Sequence, residues 1–233
     1  EDIYNNKLSF RNYQLHTKIV LTTTAALIIV SALLFFLMER SGALKEMNTL
    51  QAIVASFFHS VTPRTAGFNT LDVASLRSST ILLTIVLMMI GGSSGSTAGG
   101  IKTTTFAVLI MSTISVIKGR HFLSAYQRRL EDNALRRACA IFFTYIGAVG
   151  TVIFILGMLE NFTMEQLSFE VFSAIGTVGL TLGITPNLGT VSKTLIALLM
   201  YFGRVGVLSI VLAFTRTPKN VPVEYPSEKI MIG

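Results

Sequence analysis

The sequence predicts an all-α membrane protein made of two repeated units. Its composition is the first indication, because hydrophobic residues form 51% of the 233 residues and charged residues only 13%, proportions typical of a chain that lies in a bilayer. Four long apolar stretches separated by short polar or basic segments are the second. The third is an internal repeat in which the second copy follows the first by 112 residues.

The apolar stretches have the lengths that membrane crossing requires. Residues 19–38, 139–159 and 195–214 form three stretches of about 20 residues, the length at which an α-helix crosses ~30 Å of hydrocarbon. The remaining stretch, 80–117, is nearly twice as long and contains the sequence GGSSGSTAGG at 91–100. We therefore predict three simple spans and one interrupted span.

Two shorter, semi-apolar segments follow the first and third stretches. They read TLQAIVASFFHS at 49–60 and FTMEQLSFEVFSAIG at 162–176. Each corresponds to about three or four turns of helix, which is too short to cross the bilayer. We predict that each is a re-entrant helix that enters the membrane and turns back.

The distribution of basic residues predicts the orientation. Twelve of the 19 Lys and Arg residues lie in the N-terminal stretch, in residues 118–137 and in the C-terminal tail, whereas five lie around the two short helices. The positive-inside rule places both termini and the middle loop in the cytoplasm, so that the short helices enter from outside.

A Thr-x-Gly sequence directly after each short helix defines the repeat. Thr65 aligns with Thr177 and Gly67 with Gly179, and the alignment continues into the following spans without a gap. Apolar helices match one another easily, which explains the helices alone. Lipid does not select for threonine and glycine, however, so the helices do not explain these four positions.

The need to direct peptide carbonyls toward an ion explains threonine and glycine at these positions. Irregular backbone at membrane depth is tolerated only where it is buried in protein or faces water or an ion, and peptide carbonyls can replace the hydration shell of a cation. Glycine permits the dihedral angles that turn a carbonyl inward, and each short helix ends with its negative pole at this place. The predicted ion-binding backbone is formed by Thr65, Ala66, Gly67, Phe68, Thr177, Val178, Gly179 and Leu180.

With its two Thr-x-Gly segments, its repeat and its glycine-rich interruption, the chain resembles the Ktr, Trk and HKT superfamily of potassium transporters over essentially its whole length. Within that superfamily it most resembles the membrane subunits of bacterial Ktr systems. The resemblance implies a pseudo-fourfold, potassium-channel-like pore made of four units, which passes K⁺ and often depends on Na⁺. Glycine at both filter positions, Gly67 and Gly179, favours K⁺.

Only two of the four implied units are present, and the resemblance places them last. We therefore expect the chain to be the C-terminal half of a longer protein; two chains that complete one pore are the alternative. The expected division is a third pore unit at 1–117, a cytoplasmic connecting loop at 118–137, a fourth pore unit at 138–215 and a cytoplasmic tail at 216–233.

The glycine-rich interruption is not a nucleotide-binding phosphate loop. Ile101 stands between Gly100 and Lys102, so the required Gly-Lys spacing fails by one residue. Close helix packing through small residues accounts for two or three glycines but not for ten small or polar positions. The resemblance implies an intramembrane gate formed by Gly91, Gly92, Ser93, Ser94, Gly95, Ser96, Thr97, Ala98, Gly99 and Gly100.

Two basic residues accompany this loop. Arg204 lies in the middle of the fourth span, where an arginine costs about 2.5–3.5 kcal/mol on insertion scales and therefore needs an interior partner. The loop beginning at Gly91 is the predicted partner, and the resemblance implies a role in gating. For Lys102 the sequence leaves two interpretations open, snorkelling toward the cytoplasm or holding the loop.

The sequence also excludes some functions. The net charge of +7 comes from segments between spans rather than from a basic face, which argues against nucleic acid as a partner. No HExxH motif, intramembrane carboxylate pair or nucleophile with a base indicates an enzyme. We expect no covalent cofactor. A sodium-coupled transporter with alternating access is the alternative to a gated pore.

The remaining expectations concern location and partners. The resemblance implies a bacterial inner (plasma) membrane location, a homodimer of membrane subunits and a cytosolic nucleotide-binding regulatory ring. The basic middle loop, 118–137, is interpreted either as a helix along the membrane surface or as a docking place for a soluble partner. Asp72, Glu160 and Glu165 are predicted outside, where they either attract cations or belong to a solvated face.

Overall fold

The protein is helical throughout most of the described chain. A computed structural model describes residues 12–119 and 122–206. Its helices, in chain order, are α1 (Leu15–Glu39), α2 (Thr49–Val61), α3 (Ser78–Met89), α4 (Thr103–Ile117), α5 (Asp132–Leu159), α6 (Met164–Ile175) and α7 (Thr190–Val205). Two short 3-10 helices, Val73–Ser75 and Thr185–Asn187, and a hairpin of β1 (Ser124–Ala125) with β2 (Arg128–Arg129) complete these ranges.

Helices α1 and α5 are long and apolar enough to cross a membrane. Helix α1 has 25 residues, which at 1.5 Å per residue gives about 37 Å. The apolar part of α5, Asn133–Leu159, has 27 residues. Both helices bury only a small share of their residues inside the protein, so most of their apolar side chains face outward. This agrees with the prediction that the bilayer surrounds them.

The second apolar stretch, 80–117, is interrupted as predicted and forms two helices. Helix α3 ends at Met89 and α4 begins at Thr103. The two chain ends of the interruption form a short parallel bridge, in which the Gly91 N–H donates to the Ile101 carbonyl and the Ile101 N–H donates to the Met89 carbonyl, both at 2.9 Å. The glycine-rich loop, residues 91–100, therefore leaves and rejoins the span at one level.

The two short helices begin with the same local signal. In α2, the Gln51 side chain accepts from the backbone N–H of Asn48 at 3.1 Å, and in α6 the Gln166 side chain accepts from the backbone N–H of Thr163 at 3.1 Å. This capping box fixes where each helix starts. With 13 and 12 residues, α2 and α6 are too short to cross the bilayer.

A buried carboxylate joins α1 to α3 in the first unit. Glu39, at the end of α1, is fully buried and accepts hydrogen bonds from the backbone N–H of Arg77 at 3.0 Å and from the Thr80 hydroxyl at 2.6 Å. Arg77 is the residue that precedes α3. The carboxylate therefore satisfies a free donor at the helix start, where negative charge is stabilising.

The second unit repeats this joint at the equivalent positions. Glu160, directly after α5, accepts from the backbone N–H of Gly189 at 2.8 Å and from the Ser192 hydroxyl at 2.5 Å, at the start of α7. The hydrogen bond from Ser192 lowers the pKa of the Glu160 carboxyl. The carboxylate is therefore charged at neutral pH, and its stabilising contribution is lost as the pH falls through that lowered pKa.

Two apolar clusters form the interior. One joins α5, α6 and α7 of the second unit through residues such as Val149, Leu167 and Ile196, and also includes Ile101 of the first unit. The other lies where the units meet and includes Met88 of α3 and Phe169 of α6. Helix α6 thus packs both against α5 and α7 of its own unit and against α3 of the first unit.

The middle loop differs from one of the two interpretations. Residues 124–129 form a β-hairpin whose turn residues, Tyr126 and Gln127, have φ angles of 51° and 62°. The surface-helix interpretation is therefore wrong for this part of the loop, because the chain reverses within six residues. Helix α5 begins already at Asp132. The predicted tail, 216–233, and residues 207–214 of the fourth span lie outside the described residues.

Replacement of Glu39 by alanine should destabilise the protein, because it leaves the donors at the start of α3 without a buried partner. The expected loss in the free energy of unfolding is about 1–3 kcal/mol. Thermal unfolding of the purified full-length protein in detergent measures it. Glu46, which is exposed, provides the control variant Glu46→Ala. Equal melting temperatures for the two variants would contradict the capping role of Glu39.

Candidate functional site

The candidate site lies where the two short helices end. Segment I, residues 65–68, follows α2, and segment II, residues 177–180, follows α6. In both segments the threonine and the glycine have positive φ angles, 69° and 75° at Thr65 and Gly67 and 50° and 91° at Thr177 and Gly179. A positive φ is rare for threonine, because it is β-branched. Two such threonines in equivalent positions therefore indicate that the surrounding structure enforces this strained backbone conformation in both segments.

The alternating sign of φ sets the direction of the peptide carbonyls. In an extended strand, successive carbonyls point to opposite sides, whereas alternation of left-handed and right-handed residues lets them point to one side. Ala66 and Val178, the residues between threonine and glycine, have negative φ. In these two segments, the carbonyls of Thr65, Ala66, Gly67, Thr177, Val178 and Gly179 accept no hydrogen bond from the described residues.

The last residue of each segment is different. The Phe68 carbonyl accepts a hydrogen bond from the Thr62 hydroxyl, and the Leu180 carbonyl accepts one from the Ser173 hydroxyl at 2.6 Å. Thr62 and Ser173 lie at the ends of α2 and α6. Each segment is therefore pinned back to its own short helix directly after the three free carbonyls.

The two segments lie side by side. A Cβ atom added at Gly67 would lie 2.2 Å from the Val178 carbonyl oxygen, and one added at Gly179 would lie 3.9 Å from the Cα of Gly67. At Gly67 only glycine permits this approach, and at both positions glycine permits the positive φ angle. The eight residues that the sequence predicts for ion binding thus belong to two neighbouring segments, which approach each other at Gly67, Val178 and Gly179.

The glycine-rich loop contacts segment II directly. The backbone N–H of Gly99 donates to the Thr177 hydroxyl at 3.1 Å. A Cβ atom at Gly99 would lie 2.8 Å from the carbonyl group of Gly176, which shows how closely the two backbones approach. In the first unit, the Thr65 hydroxyl is buried and has no hydrogen-bond partner among the described residues.

Three basic side chains hold the loop through its carbonyls. Arg204 of α7 donates to the Thr97 carbonyl at 2.7 Å, as the sequence predicts. Lys102 donates to the Ala98 carbonyl at 2.5 Å and to a second loop carbonyl, that of Ser96, at 3.0 Å, so it holds the loop. The third basic side chain is that of Arg64, which directly precedes segment I.

Arg64 was not singled out by the sequence, although it stands directly before Thr65. Its guanidinium donates to the Gly91 carbonyl at 3.3 Å, and its Nε atom is buried and has no partner among the described residues. The loop is therefore connected to both segments, through Arg64 at its first residue and through Thr177 at Gly99. The signal available from the sequence was a basic residue adjacent to an otherwise apolar and small motif.

The acidic residues predicted on the outside have local partners. Asp72 accepts from the backbone N–H of Ala74 at 3.1 Å, and Glu165 accepts from the Ser78 hydroxyl at 3.1 Å. Together with the role of Glu160 at the start of α7, these contacts favour structural use of all three. Glu170, which the sequence analysis did not single out, lies behind segment II and binds the turn that follows it.

The family follows from a match over almost the whole chain. A family model described as "TrkH: Cation transport protein" matches residues 4–225. The chain belongs to this TrkH cation transport family. A crystal structure of the potassium transporter TrkH from Vibrio parahaemolyticus shares the fold, with a TM-score of 0.72 over 83% of this chain at 18% identity.

Curated relatives support the same assignment for this TrkH-family chain. It is 40% identical to the Ktr system potassium uptake protein B of Bacillus subtilis over 100% of its own length and 52% of that protein's. It is also 40% identical to the potassium/sodium uptake protein NtpJ of Enterococcus hirae, over 94% and 50% of the two lengths. The chain thus spans about half the length of these relatives, in agreement with the predicted half of a longer protein.

Replacement of Gly99 by alanine should force the glycine-rich loop away from segment II. The added methyl group would lie 2.7 Å from the Thr177 hydroxyl and 2.8 Å from the Gly176 carbonyl, both of which are constrained. Overpacking of this kind costs about 1–3 kcal/mol of stability. Thermal unfolding in detergent measures the effect. The control is Gly147→Ala in α5, where nothing lies within 4 Å, and a melting temperature of Gly99→Ala as high as that of this control would contradict the close contact.

Proposed function

We propose that the chain forms the third and fourth units of a potassium uptake pathway, in which segments I and II line half of a selectivity filter. The observation that carries the proposal is the pair of segments with alternating φ sign and six carbonyls that accept no hydrogen bond within the described residues. Free peptide oxygens in a membrane protein are costly unless they face water or an ion. A dehydrated K⁺ ion is a suitable partner.

The electrostatics of the short helices support this proposal. Helices α2 and α6 end within a few residues of segments I and II, so the negative poles of both helices are directed at the same place. Cation binding therefore does not require acidic side chains in the filter. The hydrogen bonds from Thr62 and Ser173 keep the outer end of each segment fixed while the three preceding carbonyls remain free.

The exposed surfaces of the chain support completion by two further units. Met88 of α3 is 0% exposed because α6 packs against it, whereas its repeat counterpart on α7, Met200, is 48% exposed. Phe169 of α6 is 0% exposed in the same contact, whereas its counterpart on α2, Phe57, is 52% exposed. The surface that is buried at the junction of the two units is therefore open at both ends of the pair.

Closure of the ring follows from these open surfaces. We propose that a preceding unit covers α2 as α3 covers α6, and that a following unit places its short helix on α7. Four units arranged in this way complete the ring of carbonyls around one axis. The names of the two curated relatives, which are about twice as long as this chain, agree with potassium or potassium/sodium uptake as the activity.

We further propose that the glycine-rich loop is a gate below the filter. The loop lies against Thr177, and the side chains of Arg64, Lys102 and Arg204 bind its carbonyls. These bonds give the loop one stable position without a rigid helical backbone. The cytoplasmic location of both termini, the homodimer and the nucleotide-binding regulatory ring stay predictions from the sequence.

Replacement of Gly67 or Gly179 by serine should weaken discrimination of K⁺ against Na⁺ in the full-length protein. The added side chain at Gly67 would meet the Val178 carbonyl, and both positions have the φ angles that favour glycine. We expect a loss of about tenfold or more, the effect of roughly 1.4 kcal/mol. Competition of Na⁺ with ⁸⁶Rb⁺ uptake in potassium-uptake-deficient cells measures it.

The control for these variants is Gly150→Ser in α5, where nothing lies within 4 Å of an added Cβ atom. Serine at this position should leave the ion preference unchanged. If Gly67→Ser and Gly179→Ser also retain the wild-type preference at normal membrane levels, segments I and II are not the filter.

Release of the glycine-rich loop should increase flux. Deletion of residues 93–98 removes the loop tip, and Arg204→Gln removes its charged anchor from Thr97. We expect several-fold faster ⁸⁶Rb⁺ uptake from either change, since one charge-assisted hydrogen bond contributes about 1.5–3 kcal/mol. Lys193→Gln in the same helix, remote from the loop, is the control. Unchanged or slower uptake by correctly inserted protein would rule out the gate.

A further inference from the structure

A buried glutamate lies behind segment II. Glu170 is part of α6, nine residues before Gly179, and is only 5% exposed. Its carboxylate accepts hydrogen bonds from the backbone N–H of Leu182 at 3.2 Å and from the hydroxyls of Thr181 and Thr185, the latter at 2.8 Å. All three donors belong to the turn that follows segment II.

The same network organises the interior of that turn. The backbone N–H of Gly183 donates to the Thr181 hydroxyl at 2.8 Å, and this hydroxyl also lies 3.1 Å from that of Thr185. Gly183 has a φ of 87°, which allows the chain to curl around the carboxylate. The turn formed by residues 181–185 therefore folds around the Glu170 carboxylate.

A buried carboxylate is expensive to place in a membrane protein, so its retention calls for a use. Within the described residues, no arginine or lysine side chain hydrogen-bonds to Glu170, and its three hydrogen-bond donors all come from this one turn. The equivalent position of the first unit carries an apolar side chain, so the fold of a unit does not itself require a carboxylate here.

The first unit lacks this arrangement. The residue equivalent to Glu170 is Phe58, which is 39% exposed. The turn after segment I is organised within itself, because Asp72 accepts from the Ala74 N–H at 3.1 Å and the Ser75 hydroxyl donates to the Asp72 carbonyl at 2.7 Å. Only the turn after segment II is held by a side chain of the short helix, in the described part of the chain.

We propose that Glu170 is a positioning residue that determines ion specificity. It fixes the turn 181–185 to α6 and, together with the bond from Ser173 to the Leu180 carbonyl, holds both sides of the outer end of segment II. The free carbonyls of segment II thereby keep the spacing that suits K⁺ and cannot contract around the smaller Na⁺ ion. This inference rests on the proposed filter function of segments I and II.

The test uses Glu170→Gln in the full-length protein. Glutamine has nearly the same shape but loses the charge and presents an NH₂ group to the turn, so two acceptor positions become one. In ⁸⁶Rb⁺ uptake with Na⁺ as competitor, we expect Na⁺ to compete roughly tenfold better, as when one charge-assisted hydrogen bond is lost. The maximal uptake rate per membrane-inserted protein should change much less than the K⁺/Na⁺ preference.

Two further variants separate positioning from folding. Thr185→Val removes a single donor to the carboxylate and should shift the ion preference in the same direction, by less. Glu170→Asp keeps the charge and should partly restore the preference relative to Glu170→Gln. The control is Glu46→Gln, an exposed position with the same loss of charge, which should behave as wild type.

The outcomes distinguish this inference from the proposed function. Wild-type ion preference in Glu170→Gln and Thr185→Val, with altered preference in Gly179→Ser, overturns the role of Glu170 and leaves the filter intact. Wild-type preference in both Gly67→Ser and Gly179→Ser overturns the filter itself. If Glu170→Gln does not reach the membrane, Thr185→Val alone decides, and an unchanged preference in that variant also overturns the role of Glu170.

Discussion

The structure depends on how peptide oxygens without hydrogen-bond partners are tolerated inside a membrane protein. Water cannot satisfy them at membrane depth, so the chain must hold them in place and supply another partner. Segments I and II meet the first need with two short helices, with hydroxyls that pin the outer carbonyls and with threonine and glycine in left-handed conformations. Under the proposed function, a permeating cation meets the second. The glycine-rich loop has the same constraint and a different solution, because arginine and lysine side chains bind its carbonyls.

In both repeated units, the same helix contacts hold segments I and II in place. In each unit a glutamate at the end of the first helix binds the start of a later helix: Glu39 joins α1 to α3, and Glu160 joins α5 to α7. This joint holds the end of one helix at the start of the other, and the short helix of the unit packs against the pair. At the junction of the units, α6 contacts α3, and this contact brings Gly67 next to Val178. The position of each segment is thus determined by a neighbouring unit as well as by its own.

Much of this was accessible from the sequence, for identifiable reasons. Helix lengths, the interrupted span and the place of both segments follow from apolar runs and from glycine and threonine, whose conformational preferences are local. The contact of Arg204 with the loop followed from the cost of a charge in mid-span. The hairpin at 124–129 was missed because its turn residues, Tyr126 and Gln127, are not typical turn formers. Arg64 was missed because its partner is a backbone carbonyl, and Glu170 because its partners are a backbone N–H and two threonine hydroxyls, so neither has a residue of opposite charge to recognise.

The central claim is that the free carbonyls of segments I and II bind the permeating ion. Crystals of the full-length protein grown in Rb⁺ and measured at the rubidium absorption edge test it most directly, because anomalous scattering locates the ion without reference to the backbone. We expect Rb⁺ within coordination distance of the carbonyls of residues 65–67 and 177–179, and no anomalous signal there when Na⁺ replaces Rb⁺. Rb⁺ bound only elsewhere, with these carbonyls turned away from it, would contradict the account.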